Sequence, residues 1–393
     1  MNKLFEHFNK ITIVLTNMSI KKYLVLIIVC TLAACNDSDD KKVIDLMSYK
    51  SKEIQLGSIH KVIPLESSID SNLGFITKSV VDFENDRVFV LSRFNLYIYN
   101  TNGKFLKKAP IGRGPSEFIR IMSFTINSNN KKLYVLNDPK NITVLSYDLD
   151  VISSYEYREF HCSDIQLIDN NNLLLYNYAT HKEGQGFFVG IYNLEKGKII
   201  RKQIPISESP YHRFTVITSK NFPKYGNRQF FTSPNIFGLY EFKEDSFIRI
   251  NDYFLGSKAV PERISNRYLK KKRRRIFRQE SILDGYIPFI LNTFKFKDNY
   301  IAILDDSENN CVVIPENNNS DIYMNGPISE YLGLPPVHSL NNPVGIYENN
   351  LVFSLLPNEL FTNKDMDTPK EISIGQQKLS VKYDSNPILI IIR

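Results

Sequence analysis

The chain has 393 residues, 42% hydrophobic and 23% charged, with 22 Tyr and 26 Phe but no Trp. That is enough apolar material for a sizeable core, which excludes a disordered or fibrous chain. The formal net charge is +7, and without residues 1–34 the count falls to 45 basic and 41 acidic residues, a net of +4, too even to argue for a nucleic-acid partner.

The amino terminus reads as an address. Lys21-Lys22 precede an apolar run over residues 23–34 that ends in Leu32-Ala33-Ala34, directly before Cys35. A basic start, a short apolar stretch and small residues before the cut make a secretory signal. At roughly 12 residues the run is shorter than the ~20 that a membrane-spanning helix needs. A cysteine after small residues resembles the bacterial lipobox, which makes Cys35 the expected lipidation site, first residue of the mature chain and link to the membrane. Met18-Ser-Ile-Lys-Lys would begin a signal of ordinary length, so residues 1–17 are read as upstream of the true start. The polar stretch from Asn36 carries no core pattern, and residues 35–52 are expected to form a flexible tether.

From residue 53 onwards one unit recurs. Glu84-Asn-Asp-Arg leads into Val88-Phe-Val-Leu91, and Asn129-Asn-Lys-Lys into Leu133-Tyr-Val-Leu136. Asn170-Asn-Asn leads into Leu173-Leu-Leu-Tyr176, and Tyr225-Gly-Asn-Arg into Gln229-Phe-Phe-Thr232. Lys297-Asp-Asn leads into Tyr300-Ile-Ala-Ile-Leu304, and Glu348-Asn-Asn into Leu351-Val-Phe-Ser354. The six occurrences lie 45, 40, 56, 71 and 51 residues apart. A second strand follows in the first four units, over residues 96–99, 142–145, 188–192 and 236–240, and Thr101-Asn-Gly-Lys supplies an Asn-Gly hairpin turn. Strand–turn–strand units of roughly 40–50 residues have the size of a four-stranded propeller blade. The expected fold is therefore all-β: a six-bladed β-propeller of four-stranded antiparallel blades over residues 53–393. Pairing Glu53-Ile-Gln-Leu or Val62-Ile-Pro-Leu65 with Pro387-Ile-Leu-Ile-Ile-Ile392 inside the last blade would close the ring and remove its open edges.

The 71-residue spacing leaves room for an insertion. Pro261-Glu262 can start a helix, and apolar residues at mixed three- and four-residue spacing predict a short basic helical insertion near residues 261–283. Its run Lys270, Lys271, Lys272, Arg273, Arg274 and Arg275 is either a solvated helix face or a patch for anionic glycans or lipid headgroups.

Ile63-Pro-Leu-Glu66, Gly103-Lys-Phe-Leu, Ile111-Gly-Arg-Gly-Pro-Ser-Glu-Phe118 and Asn386-Pro-Ile-Leu occur in this order. In this the chain resembles the six-bladed β-propeller lipoproteins of Bacteroidota, a group related to NHL-repeat propellers. The resemblance implies fold and location in the cell envelope, as an outer-membrane lipoprotein facing the periplasm or the cell surface. It supplies no catalytic residues. Acidic residues just after Cys35 also resemble the surface-export signal of such lipoproteins.

Motifs for known chemistry are scarce. The segment at 111–118 has Gly-x-Gly but neither the P-loop nor the dinucleotide-binding pattern. It is read as a blade-to-blade crossover in which Arg113 and Glu117 pair with each other or hold the adjacent blade. Crossovers lie near the channel, so both are kept as ligand-binding candidates. His7, His60, His161, His181, His212 and His338 are scattered, so no metal site and no cofactor is expected. Cys162 and Cys311 fall in different repeats. An oxidising compartment would permit a disulfide, but two buried free thiols are favoured. The expected function is a binding module for a glycan, a peptide or an envelope protein. The alternative is a calcium-dependent lactonase-like hydrolase or lyase at the channel mouth, with Asn137-Asp138 and Asp305-Asp306 as candidate oxygen ligands.

Overall fold

The computed structural model describes residues 42–50, 56–114, 116–178, 186–209, 211, 214, 218–269, 273–317, 322–347, 349–362 and 366–393. Six antiparallel sheets form a propeller. Blade 1 runs Ile76–Asp82, Arg87–Ser92, Asn95–Tyr99 and Phe105–Lys108, from the channel outwards. Blade 2 spans Ser123–Asn127 to Val151–Glu156, blade 3 Cys162–Leu167 to Lys198–Pro205, and blade 4 Lys224–Tyr225 to Ser246–Phe254. Blade 5 spans Ile290–Phe296 to Ile322–Pro327.

Blade 6 closes the ring as expected. Its innermost strands are Gly345–Tyr347 and Asn350–Leu355, its third is the carboxy-terminal Ile388–Ile392, and its outermost is Ile59–Pro64 from the other end of the chain. All five residues of Ile388–Ile392 are buried. Ile388, Ile390 and Ile392 pack with Phe294, Ile301 and Ile303 of blade 5, and Leu389 and Ile391 with Val88 and Val90 of blade 1. Of the two amino-terminal segments named as closing partners, Val62-Ile-Pro-Leu65 contains the paired strand, whereas Glu53, Ile54 and Gln55 lie outside the described residues.

The family-like motifs meet at this joint. The Glu66 N–H donates to the Gly103 carbonyl, and the Phe105 N–H donates to the Glu66 carboxylate, both at 2.8 Å. The Asn386 side chain donates to the Glu66 carbonyl (2.7 Å) and accepts from the Leu73 N–H (2.8 Å). Gly103 has φ +85°, and a Cβ there would lie 1.9 Å from the Pro64 carbonyl oxygen, so only glycine lets the first hairpin touch the closing strand.

The recurring apolar cores of the sequence are the second strands of the blades, Arg87–Ser92, Lys132–Asp138, Asn172–Asn177, Arg228–Phe231, Asn299–Leu304 and Asn350–Leu355. These are buried between neighbouring blades and so read as continuous apolar runs. A less regular strand precedes each one on the channel side.

Three details depart from the sequence reading, and a fourth, the expected helical insertion, is resolved further. Within the stretch read as a tether, Lys42–Asp45 joins the outer edge of blade 4 and Tyr49–Lys50 pairs in parallel with Ile322–Pro327 on blade 5. Ile44 and Leu46 are buried there, which gives this segment apolar contacts that a free tether lacks. The basic insertion is two helices, α1 (Glu262–Leu269) and α2 (Arg274–Leu283). The fourth second-strand assignment, residues 236–240, holds only from Gly238, since Gly238–Lys243 is the strand. A hairpin, Lys370–Ile374 with Gln377–Val381, stands between the second and third strands of blade 6.

Chain direction makes the two ends of the ring unequal. Each innermost strand starts, and each outermost strand finishes, at the same end, so every crossover lies there. That end also carries the turns between second and third strands. It holds the described residues of 109–122, 206–223 and 328–344, those of the α1–α2 insertion at 255–289, and the blade 6 hairpin. The opposite end has short turns and an ionic stitch between blades 4 and 5. There Arg228 bonds Glu241 and Glu316, both at 2.6 Å, Tyr300 donates to Glu316 (2.9 Å), and Lys295 also pairs with Glu316.

Candidate ligand site in the propeller channel

The innermost strands of blades 1, 3 and 5 share an irregularity. Each carries a bulge just inside the crossover end, between Ile76 and Lys78, Cys162 and Asp164, and Ile290 and Asn292. A bulge re-aims the following side chain, and Lys78, Asp164 and Asn292 all line the channel. The registers set these residues at one level: Lys78 opposite Leu91, Ser123 opposite Leu136, Asp164 opposite Tyr176 and Asn292 opposite Ile303. Blade 4 adds Asn221, whose carbonyl accepts from the Thr232 N–H (2.9 Å). A tier of polar residues thus crosses the channel.

Lys78 and Asp164 form its fixed part. The Lys78 ammonium donates to Asp164 Oδ1 (2.9 Å), Ser123 Oγ (3.0 Å) and the Ile165 carbonyl (3.3 Å), which uses all three of its protons. Asp164 is fully buried and also accepts from Ser123 Oγ (2.6 Å), its neighbour Ile165 N (2.9 Å) and Asn221 N (2.7 Å). One carboxylate therefore ties blades 1, 2 and 3 to the segment entering blade 4. That segment reaches further across the channel, where Ser219 Oγ lies 3.5 Å from the Thr77 carbonyl and Ser163 Oγ donates to the Thr218 carbonyl (2.8 Å).

What remains open is a cavity of about 50 Å³ available to water centres, bordered by all six blades. A single water needs roughly 10–15 Å³ on this measure, so the space takes several waters or a small ligand group. Its charged borders are Lys78, Asp164, Lys220 and Lys224. The sole carboxylate among the described lining residues is already matched to Lys78. Lys220 and Lys224 make no ion pair among the described residues, and burial pulls the Lys220 ammonium down to about 8. Asn292, 1% exposed, gives its Nδ2 to Asn342 (3.1 Å), while its Oδ1 has no hydrogen-bond partner. Among the described residues that border the cavity, two cations and the Asn292 acceptor are thus unmatched.

The residues singled out from sequence lie elsewhere. The segment at 111–118 is the crossover from blade 1 to blade 2, with Ile111 bridged to Phe118. Glu117 folds back within the loop, its Oε2 accepting from the Gly114 N–H at 2.7 Å. A Cβ at Gly112 would sit 1.9 Å from that oxygen, so the first glycine is a close-approach position, and neither glycine has positive φ. Arg113 is exposed, and no ion pair between it and Glu117 is found.

In the basic run, Lys270, Lys271 and Lys272 lie outside the described residues. Arg273 and Arg275 are exposed, while Arg274 is half-buried 5.3 Å over the Phe289 ring. Phe277 of α2 packs with Tyr211, Phe214 and Phe289, which holds the helix on the crossover end. Arg278 clasps buried Asp305 with bonds of 2.6 and 2.9 Å, and burial still holds that carboxyl above its usual range. Asp306 caps the next turn, accepting from Glu308 N and Asn310 N, and Asp138 lies 3.8 Å from Arg120. These carboxylates, candidate cation ligands by sequence, are engaged in local structure. Among the described residues no group of three His, Cys, Asp or Glu side chains comes together. Cys162 and Cys311 are free and buried, and burial pushes the Cys162 thiol up to about 12.

Residues 41–393 match the model of a family described as "Domain of unknown function (DUF4934)". The chain belongs to this family. As a DUF4934 protein it is also similar in structure to a "Putative exported protein" of Bacteroides fragilis, at 16% identity and a TM-score of 0.67, over 90% of this chain and 99% of that one. U3-55K matches over 86% of this chain and 100% of its own at 10% identity and a TM-score of 0.46. A protein of unknown function from Bacteroides caccae matches over 66% and 84% at 10% identity and a TM-score of 0.39. At such identity the first likeness shows the fold alone, and the other two scores carry no argument. A search of curated proteins gave no match.

Proposed function

We propose that this DUF4934 protein is a lipid-anchored, extracytoplasmic binding module of the bacterial envelope that holds its partner on the crossover end of the ring. The carrying observation is the inequality of the two ends. One is trimmed to short turns, and the other bears every long crossover, the α1–α2 insertion and the extra hairpin. Binding residues are disproportionately found on such segments, positioned by a rigid scaffold. Phe75, Phe94, Ile111 and Ile119 are each more than half exposed on neighbouring loops of this end around blade 1. Phe94 occupies the two-residue turn Arg93-Phe94 at φ +65°, where a bulky side chain is an outlier, and it is 55% exposed there.

The partner is a glycan, a peptide or another envelope protein. The lipid on Cys35 and the signal before it supply the address, in keeping with the printed description of the Bacteroides fragilis protein. The hydrolase reading loses support, because Asp138, Asp305 and Asp306 are otherwise engaged and the channel carries surplus positive charge that repels a divalent cation.

Screening the mature chain on glycan and peptide arrays, with and without calcium, tests the reading. The expected result is a ligand retained without calcium and lost from Phe94→Asp. Absence of any ligand, or turnover that needs calcium, overturns it. Palmitate labelling that persists in Cys35→Ser overturns the anchor.

A further inference from the structure

We propose that the channel cavity holds a small hydroxycarboxylate, with its carboxylate on Lys220 and a hydroxyl donating to Asn292 Oδ1. This rests on the binding-module reading and names a ligand class for a second part of the same molecule.

Three independent features of the cavity point the same way. The first is charge. Lys78, Lys220 and Lys224 border it, with Asp164 as the one carboxylate among the described lining residues. Asp164 is saturated by Lys78, Ser123, Ile165 and Asn221, so it has nothing left for Lys220. A half-buried ammonium without a counter-charge is costly, and a ligand carboxylate removes the cost by pairing with it.

The second is the unmatched acceptor. Asn292 is 1% exposed, and its Nδ2 is committed to Asn342, which assigns the free atom as Oδ1, an acceptor. A bare carboxylate such as formate cannot satisfy it, because it brings no donor. A hydroxyl on the ligand can.

The third is placement. Lys78, Asp164 and Asn292 each follow a bulge at the same point of their strands, on three alternate blades. A plain barrel of strands has no need to break its ladder three times at one level. Bulges of this kind are concentrated next to functional sites, where they re-aim side chains. Burial pulls the Lys220 ammonium below its ordinary value, which fits the lack of a counter-charge beside it.

The test is calorimetric titration of the full mature chain at pH 7 with galacturonate, galactose and lactate. Galacturonate and galactose differ in the carboxylate alone, and lactate separates a free small acid from a sugar acid. The expected result is binding of at least one of the two acids and at least tenfold weaker binding of galactose. Lys220→Met should cut acid affinity at least tenfold while the chain still melts cooperatively and no earlier than the wild type. Lys220→Arg should retain most of it, and Asn292→Leu should lose severalfold. Binding should also weaken between pH 7 and pH 9.5 as Lys220 gives up its proton, with Lys78, Lys224 and Asp164 as the other charged groups facing the site.

Equal binding of galactose, no binding of either acid, or unchanged affinity in Lys220→Met overturns the proposal. An array ligand lost from Phe94→Asp but indifferent to Lys220→Met would leave the binding module standing and sink the channel site alone.

Discussion

Replacing Asp164 by alanine tests how the channel tier holds the ring together. The substitution removes the only counter-charge of Lys78, whose side chain is 13% exposed, and leaves the Ser123 hydroxyl and the Asn221 N–H without their acceptor. Stranding one member of a buried ion pair costs about 3–5 kcal/mol. Each orphaned neutral donor adds about 1 kcal/mol where the channel cannot supply water. The expected loss is therefore about 5–7 kcal/mol, a large part of the roughly 5–15 kcal/mol that holds a domain folded. Lys78→Met in the same background removes the stranded charge, so the double variant should recover about 2 kcal/mol or more of that loss. Urea unfolding at pH 7, read as midpoint and slope for the wild type, both single variants and the double, measures the cycle. A loss below about 1 kcal/mol for Asp164→Ala, or strict additivity of the two substitutions, would refute the account of this node.

Three further outcomes follow from the same structure. Lys220→Met should stabilise the fold at pH 7, because burial lowers the folded-state value to about 8 against 10.5 for a free lysine. The cost of the buried charge is fully present below pH 8 and disappears as pH rises towards 10.5, so the gain, about 1–3 kcal/mol, should be absent at pH 10.5, as thermal melts at both pH values would show. At the other end of the ring, burial raises Glu316, but hydrogen bonds from Arg228, Lys295 and Tyr300 outweigh it and bring the carboxyl down to about 2. Its contribution is complete above about pH 4.5 and lost as pH falls towards 2, so Glu316→Gln should flatten the melting-temperature drop between pH 5 and pH 2.5. In the first crossover, Gly112→Ala and Glu117→Ala should each cost about 1 kcal/mol and fail to add, because both remove the same bond to the Gly114 N–H; additive losses in chemical denaturation would contradict this.

The fold was legible because its determinants are local. Asn-rich turns in front of apolar runs mark the second strand of each blade, and that strand is buried on both sides whatever the rest of the chain does. The closing pair was legible for a related reason: the five apolar residues at 388–392 need cover on both faces. The innermost strands were harder to see because channel-facing Lys78, Thr125, Asp164 and Asn292 interrupt their apolar pattern.

The site was out of reach for a geometric reason. Lys78, Asp164, Lys220 and Asn292 come from four blades and meet only once the ring closes. The one local trace is a charged or amide residue set in an apolar run, as in Ile76-Thr-Lys-Ser-Val-Val or Ile290-Leu-Asn-Thr-Phe. Prominent motifs pulled the other way. In the loop at 111–118, Glu117 serves its own turn, and in the basic run Arg274 faces Phe289. Charge density along a chain does not say which side chains are already matched.

The most direct test of the channel as a binding site is the titration of Lys220 itself, by pH-dependent competitive acetylation of the mature chain read by peptide mass spectrometry, with and without galacturonate or lactate. The account predicts half-reaction near pH 8 for Lys220 in the free protein, and protection with an upward shift when the acid is bound. A Lys220 that titrates like the exposed lysines and ignores both acids would contradict it.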